Sequence, residues 1–243
     1  MDEILEIAKR HNLKVVEDAA QGVNAFYKGK ALGTIGDFGT YSFHETKNYT
    51  MGEGGALLVR DEANNIRAEI IREKGTNRAE FLLGMVDKYT WVSEGSSYLP
   101  SELGAAFLYG QLLEADKIND KRIEIYNYYS EYLKDLEDKE VINLPIVPDH
   151  CRHNAHMFYI KVKDIDERTA LIDYLKTNGV LSVFHYVPLH SSPFGLKCSR
   201  FCGEDIYTTK TSETLLRLPM YMDMTHDDAE LVCELIHSFF KGR

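Results

Sequence analysis

The first sixty residues alternate between a helical pattern and short apolar runs. Residues 3–11 carry apolar side chains at helical spacing, and residues 13–16 form an apolar run that ends at Glu17-Asp18. Two further short runs, at residues 41–43 and 56–59, favour strands on either side of a glycine-rich turn. A helix followed by short apolar strands is typical of an α/β domain.

Two longer helical patterns follow. Asp61 is placed to cap a helix that runs to about Lys74. A second pattern begins at Pro100-Ser101-Glu102 and predicts one long helix to about Leu136. A helix of that length usually bridges two domains or lines a subunit interface.

The pattern changes again after a proline-marked link at residues 143–149. Residues 156–162 predict a strand, and residues 180–186 predict a second one. Between them, Asp166 is expected to cap a helix that stops at Gly179. This arrangement predicts a compact α+β region.

The last helix begins at a capping box, Thr225-His226-Asp227-Asp228. Its predicted apolar face consists of Leu231, Leu235, Ile236 and Phe239. We therefore divide the chain into three parts. The first, residues 1–115, is part of a large α/β domain. The second, residues 116–148, is a long helix and linker, and the third, residues 149–243, is a small α+β domain.

Composition narrows the classes of function. The chain has 243 residues, of which 44% are hydrophobic, so it can bury a substantial core. The net charge of −10 argues against binding to a nucleic-acid backbone. The apolar runs are too short to span a bilayer, and the acidic start is unlike a signal peptide.

The four cysteines predict neither a disulfide framework nor a metal site. Only Cys198 and Cys202 are close together, and a structural metal site would need a second close pair. We therefore expect free thiols in the reducing environment of the cytoplasm.

One lysine lies in a setting that suits pyridoxal phosphate chemistry. Lys47 comes shortly after Ser42 and just before a glycine turn, and Asp18 ends a strand 29 residues upstream. A lysine amine can form a Schiff base with the cofactor aldehyde, and a carboxylate can keep the pyridine nitrogen protonated. Ser42 is placed to bind the phosphate, and the Gln21 amide to reach the ring oxygen. A surface lysine and a turn-capping aspartate are common alone, so the prediction depends on the combination.

Four motifs together resemble the DegT-type sugar-nucleotide aminotransferases, which are fold-type I pyridoxal phosphate enzymes. The motifs are Glu17-Asp18-Ala19-Ala20-Gln21, Gly36-Asp37-Phe38-Gly39, Ser42-Phe43-His44-x-x-Lys47-Asn48 and Gly52-Glu53-Gly54-Gly55. The resemblance implies the later part of the large domain of that fold, followed by a small α+β domain. It also implies Lys47 as the Schiff-base lysine, Asp18 as the partner of the pyridine nitrogen, Gln21 and Ser42 as cofactor contacts, and a homodimer.

Further stretches resemble the branch of this family that makes dTDP-4-amino-4,6-dideoxygalactose for enterobacterial common antigen or lipopolysaccharide. They lie at residues 73–78, 86–91, 95–99, 154–160 and 184–190. This resemblance implies transfer of an amino group from L-glutamate to C4 of a dTDP-4-keto-6-deoxyhexose. Another keto-sugar nucleotide, aminated at C3 or carried on GDP, is the alternative within the family.

Two residues of the second domain are candidates for substrate contact through the same resemblance. His185 and Tyr186 fall on the strand that faces the active site in the family. The alternative is that they are partly buried strand residues that pack against the large domain. Pocket residues often lie at domain junctions, which keeps both interpretations open.

The resemblance also creates an expectation about the start of the chain. In fold-type I enzymes, the segment before the Asp18 strand supplies the first strands of the large sheet and a helix N-terminus that binds the phosphate. No such pattern precedes residue 13. We therefore expect a fragment of a longer aminotransferase, or a truncated chain that binds pyridoxal phosphate poorly. A non-catalytic remnant is the alternative outside the enzyme class.

Overall fold

The chain forms two compact units in the computed structural model, which describes residues 1–242. The first unit comprises Met1–Asp116 with Asp149–Asn154, and the second comprises Lys117–Pro148 with the residues from Ala155 onward. The helices are α1 (Asp2–Arg10), α2 (Asn65–Arg72), α3 (Arg78–Leu82), α4 (Glu102–Leu113), α5 (Ala115–Tyr132), α6 (Lys134–Asp138), α7 (Ile165–Thr177), α8 (Gly195–Cys198), α9 (Thr208–Thr214) and α10 (His226–Lys241). The strands are β1 (Val16–Asp18), β2 (Phe26–Tyr27), β3 (Lys30–Ala31), β4 (Phe38–Ser42), β5 (Gly55–Val59), β6 (Cys151–Arg152), β7 (Phe158–Lys161), β8 (Val183–Phe184) and β9 (Leu215–Leu218).

The main sheet of the first unit has the order β1-β4-β5. β1 runs parallel to β4, with Asp18 opposite Thr40, and β5 runs antiparallel to β4, with Gly55 opposite Ser42. The predicted run at residues 13–16 lies mostly before the first strand. Leu13 and Val15 lie outside that strand. The Leu13 amide donates to the Ala8 carbonyl near the end of α1, and the Val15 amide donates to the Asp37 carboxylate.

The loop between β3 and β4 packs closely against one face of this sheet. A Cβ atom at Gly39 would lie 2.0 Å from the carbonyl oxygen of Gly33, and Gly33 itself has a φ of +84°. The Glu17 carboxylate fastens the loop by accepting backbone N–H bonds from Gly33, Ile35 and Gly36 at 2.9, 2.6 and 2.6 Å. Because side chains alternate along a strand, Asp18 faces the opposite side from Glu17.

The predicted long helix begins as expected, but it is broken into α4, α5 and α6. The Ser101 side chain caps its start by accepting a bond from the Gly104 amide at 3.0 Å. At Glu114, which separates α4 from α5, the amide bonds to the Gln111 carbonyl three residues back. That bond tightens the backbone, so the regular α-helix ends there. Leu133 separates α5 from α6, and its carbonyl accepts a bond of the same kind from the Leu136 amide in α6.

The second unit contains an antiparallel sheet of order β7-β9-β8 and a closed hydrophobic core. β9 is the central strand, and the sequence pattern did not reveal it. α7 packs against both β9 and α10. The core includes Ile125, Phe158, Ile160, Leu171, Leu175, Leu216, Val232 and Ile236.

Two details of the predicted helices in this unit are wrong. α7 is capped by Asp164, which accepts a bond from the Glu167 amide, and not by Asp166. In α10 the predicted capping box is present, but Leu231 is exposed. The buried face consists of Ala229, Val232, Cys233, Ile236 and Phe239. These positions recur every three to four residues, and Leu231 falls on the other side of the helix.

No helix in residues 1–242 is both long and apolar enough to cross a membrane. Over the same range, the His, Cys, Asp and Glu side chains form no group of three placed to hold a metal ion. The four cysteines are all free thiols.

Candidate active site

The carboxyl ends of two parallel strands create the edge where the predicted cofactor residues lie. Asp18 is the last residue of β1 and Ser42 is the last residue of β4. Since Asp18 pairs with Thr40, its side chain lies on the same face as those of Thr40 and Ser42. Paired strands are separated by about 4.8 Å, so the Asp18 carboxylate and the Ser42 hydroxyl share one small area of the sheet.

Lys47 lies in the loop that connects β4 to β5. The hairpin continues beyond the strands, because the Phe43 amide bonds to Gly54 and the Glu45 amide bonds to Gly52, each at 2.9 Å. The Lys47 amide then bonds to the His44 carbonyl at 2.9 Å and turns the chain back. Lys47 is half-buried, directly beyond the sheet edge that ends in Ser42.

The three residues after Lys47 anchor this loop to the first unit. The Asn48 side-chain amide donates to the Asn154 carbonyl at 2.8 Å. Tyr49 is buried, and its hydroxyl donates to the Ala115 carbonyl at 3.1 Å. Thr50 is held through its backbone, because Gln111 both accepts from its amide at 3.1 Å and donates to its carbonyl at 2.6 Å. The lysine is therefore carried by a fixed loop.

The polar groups at this edge are free to bind a ligand. Within residues 1–242, the Lys47 amine makes no hydrogen bond or ion pair, and Asp18 accepts only one bond, from the Ala20 amide at 3.2 Å. The Ser42 hydroxyl oxygen accepts a bond from the His44 amide at 3.3 Å, so its hydroxyl hydrogen is still available to a hydrogen-bond acceptor. An amine, a carboxylate and a hydroxyl suit the aldehyde, ring nitrogen and phosphate of pyridoxal phosphate.

Gln21 lies on the turn that follows β1. Its carbonyl oxygen accepts a bond from the Asn154 side chain at 2.7 Å, and its own side chain is exposed. The structure therefore assigns its backbone a role in the scaffold and leaves the side-chain amide free for the predicted cofactor contact.

The glycine turn after Lys47 serves the loop itself. A Cβ atom at Gly54 would lie 2.3 Å from the Met51 sulfur, and one at Gly55 would lie 2.6 Å from the Tyr41 carbonyl oxygen. These glycines therefore allow the chain to approach itself closely at this turn.

His185 and Tyr186 belong to the second unit. His185 lines a small cavity there with Arg168 and Phe184, and its Nδ1 atom is buried without a hydrogen-bond partner. Burial, aided by the positive charge of Arg217, lowers the pKa of His185, so the ring is neutral at pH 7. Tyr186 is exposed, and its carbonyl accepts a bond from Ser212 at 2.8 Å.

Several residues that build the site were not singled out from the sequence. They are Glu17, Asn48, Tyr49, Gln111 and Asn154. Asn48 was within reach of sequence reasoning because it adjoins Lys47. Asn154 and Gln111 were not, since they lie 106 and 61 residues from the loop residues that they contact.

Known proteins resemble this chain along nearly its whole length. It is 32% identical to dTDP-3-amino-3,6-dideoxy-alpha-D-galactopyranose transaminase of Aneurinibacillus thermoaerophilus, over 98% of this chain and 61% of that protein. It is 31% identical to the spore coat polysaccharide biosynthesis protein SpsC of Bacillus subtilis, over 100% of this chain and 64% of that protein. Among solved structures, DesV of S. venezuelae in complex with a ketimine intermediate superposes with a TM-score of 0.82 at 28% identity, over 98% of this chain and 61% of that one.

The chain thus spans about three fifths of the length of these relatives. Residues 1–237 match the model of the DegT/DnrJ/EryC1/StrS aminotransferase family. The α/β fold predicted from the sequence is confirmed by this match and by the similar structures, and pyridoxal 5'-phosphate is confirmed as the cofactor of the family. The chain belongs to the DegT/DnrJ/EryC1/StrS aminotransferase family.

Proposed function

We propose that this chain carries the cofactor-binding and proton-transferring residues of a sugar-nucleotide aminotransferase. The reaction moves an amino group from L-glutamate to C4 of a dTDP-4-keto-6-deoxyhexose. One observation carries the proposal, namely that Asp18 and Ser42 end two paired strands and that the loop carrying Lys47 leaves from the same edge of the first sheet. All three have free bonding capacity within the described chain.

Each residue at the edge has a separate chemical role in the proposal. Pyridoxal phosphate supplies an aldehyde that captures amines and a ring that accepts electrons from the neighbouring carbon. Lys47 holds the cofactor through its amine and then moves a proton at the reacting carbon of the substrate. Asp18 keeps a proton on the ring nitrogen by its negative charge, and Ser42 donates to the phosphate. Gln21 contacts the ring oxygen through its side-chain amide.

The sugar nucleotide requires contacts beyond this edge. We assign His185 and Tyr186 to substrate binding, with His185 neutral at pH 7 and able to donate or accept a hydrogen bond. Support for a sugar nucleotide comes from the relative in Aneurinibacillus thermoaerophilus, which is named for a dTDP-linked aminosugar. That relative is named for a 3-amino sugar, so amination at C3 is the alternative.

The product would enter the biosynthesis of a cell-surface polysaccharide, such as enterobacterial common antigen or lipopolysaccharide. The name of the Bacillus subtilis relative, which refers to spore coat polysaccharide, supports this use. We further propose a homodimer located in the cytoplasm. The four free thiols are compatible with that reducing compartment.

The test of the proposal compares two lysine substitutions in the protein as its host makes it. Lys47→Ala should lower the rate of amino transfer by about 10²–10⁴-fold or more, because the proton-transferring group is lost. Borohydride treatment with pyridoxal phosphate should label the Lys47 peptide, as read by mass spectrometry. The control, Lys30→Ala, removes an exposed lysine of β3 and should change neither result. Full activity of Lys47→Ala would overturn the proposal.

A second measurement separates C4 from C3 as the carbon that receives the amine. The protein is supplied with L-glutamate and, in separate reactions, with a dTDP-linked 4-keto and a dTDP-linked 3-keto sugar. We expect an aminosugar only from the first, with nitrogen at C4 in the NMR spectrum of the product. An aminosugar from the 3-keto compound alone would replace the C4 assignment by the C3 alternative.

A further inference from the structure

We propose that Asn154 is a positioning residue that holds the Lys47 loop against the turn carrying Gln21. This inference deepens the function proposed above and depends on it for its catalytic meaning. Neither the family resemblance nor the sequence pattern assigned a role to this asparagine. Its contacts, burial and chemistry carry the argument.

Asn154 is a polar residue in an almost fully buried place. Only 5% of its surface is exposed. Its side-chain nitrogen donates to the carbonyl oxygens of Gln21 and Val23, both at 2.7 Å. Buried polar groups are costly unless they are bonded, so these two bonds stabilise the position of the asparagine and of the turn together.

The backbone of the same residue contacts the lysine loop. The Asn154 carbonyl accepts a hydrogen bond from the Asn48 side chain at 2.8 Å, and Asn48 is the direct neighbour of Lys47. Asn154 therefore contacts the segment after Asp18 with its side chain and the segment after Ser42 with its backbone. A rigid link between two segments of a site preserves the spacing of the groups that they carry.

A second bond runs between the same two segments and supports this interpretation. The Asn24 side chain donates to the Tyr49 hydroxyl at 2.9 Å. Asn24 follows the Gln21 turn and has a φ of +62°, which a short polar side chain tolerates better than most. The turn and the loop are therefore joined at Asn48 and again at Tyr49, the two residues that follow Lys47.

The chemistry of the link requires an uncharged side chain with two donor hydrogens. An aspartate at position 154 would have nearly the same shape, but would place carboxylate oxygens against two carbonyl oxygens. Both carbonyls would lose their donors, and the electrostatic interaction would become repulsive. Asn154→Asp therefore tests positioning with little change in volume.

The first experiment measures the scaffold without any cofactor. Hydrogen exchange of the backbone amides is recorded in the host-made protein after removal of pyridoxal phosphate. In Asn154→Asp, exchange in residues 46–51 should accelerate by about tenfold or more, as expected for the loss of buried hydrogen bonds. Asn178→Asp is the matched control, since the Asn178 side chain also donates to a carbonyl, that of Tyr174 at 2.8 Å. It should leave exchange in this loop unchanged.

The second experiment measures the consequence for chemistry. In Asn154→Asp, kcat for amino transfer should fall by about 10²-fold, while KM for the sugar nucleotide stays within twofold of the original value. Asn48→Ala removes the bond to the Asn154 carbonyl and leaves the Asn154 side chain in place, so it provides a milder variant if Asn154→Asp does not fold. It should lower kcat in the same direction and accelerate exchange in the same loop.

The outcomes separate this inference from the proposed function. Faster exchange in the loop without borohydride labelling of Lys47 would support the scaffold role and overturn the function. Labelling of Lys47 with unchanged exchange and unchanged kcat in both variants would overturn the positioning role and leave the function intact. A rise in KM at constant kcat would also contradict positioning.

Discussion

The two units of this protein are stabilised in different ways. The second unit closes a hydrophobic core from its own residues, with Phe158, Ile160 and Leu216 fully buried. The first unit has fewer buried apolar side chains, among them Ile35, Phe43 and Tyr49. The loop that carries Lys47 is held mainly by hydrogen bonds to side-chain amides.

The unit that contributes most to stability is therefore not the unit that carries Lys47, Asp18 and Ser42. Buried apolar surface contributes about 25 cal/mol per Å² to folding, and the second unit has most of it. Directional hydrogen bonds contribute less net free energy, but they fix positions. The first unit thus carries the edge with Asp18 and Ser42 and the Lys47 loop, whereas the second unit has most of the buried apolar side chains.

The largest effect on stability is expected from the centre of the second sheet. Leu216→Ala should lower the free energy of unfolding by about 2–5 kcal/mol, because it leaves a cavity in a closed core. The matched change in the first sheet, Leu57→Ala, removes the same atoms from a side chain that is 55% exposed, and should stay within about 0.5 kcal/mol. Urea unfolding followed by circular dichroism measures both. Equal losses would contradict the comparison.

A smaller effect is expected from the helix caps. Thr225→Ala removes the capping box of α10 and should cost about 1 kcal/mol. Ser101→Ala removes a cap of similar geometry from α4 in the first unit. If the second unit dominates cooperative unfolding, only Thr225→Ala will shift the urea midpoint clearly. A larger shift from Ser101→Ala would reverse the ranking of the two units.

The smallest effect is expected from acidification. Burial lowers the pKa of His185 in the second unit and of His153 in the first. The unfolded chain, with a histidine pKa of about 6.5, then binds protons more readily than the folded one. The stability from the two neutral rings is fully present above that pH and is lost as the pH falls below it. If the second unit sets the unfolding transition, His185→Gln should reduce the change in urea midpoint between pH 7.5 and 5.5 more than His153→Gln does.

Local signals made much of the fold predictable. The start of α4 and the capping box of α10 were recognised because a few neighbouring side chains determine them. β9 was missed because it has only four residues and follows directly after α9. Its place at the centre of the sheet depends on pairing with β7 and β8, which no local pattern encodes.

The residues of the site also differ in whether a local sequence pattern could reveal them. Lys47, Asp18 and Ser42 were predicted from short motifs, because the cofactor requires those chemical groups near strand ends. Their roles stay predictions, and the structure adds the arrangement that they share. The anchors Asn154 and Gln111 lie far along the chain from the residues that they hold. Only the folded chain brings them together.

The three hydrogen bonds to Glu17 have a consequence for the alignment of the first strand. Glu17 and Asp18 are adjacent acids that point to opposite faces of the sheet. Glu17 points toward the covering loop, and Asp18 lies on the face that also carries Thr40 and Ser42. A slip of one residue would exchange them, because strand side chains alternate. The amides of Gly33, Ile35 and Gly36 bind the carboxylate of Glu17, which has a longer side chain than Asp18 and can reach them. They therefore favour Glu17 over Asp18 at this position. The loop thereby fixes the register of β1, and with it which of the two acids lies on the face that also carries Ser42.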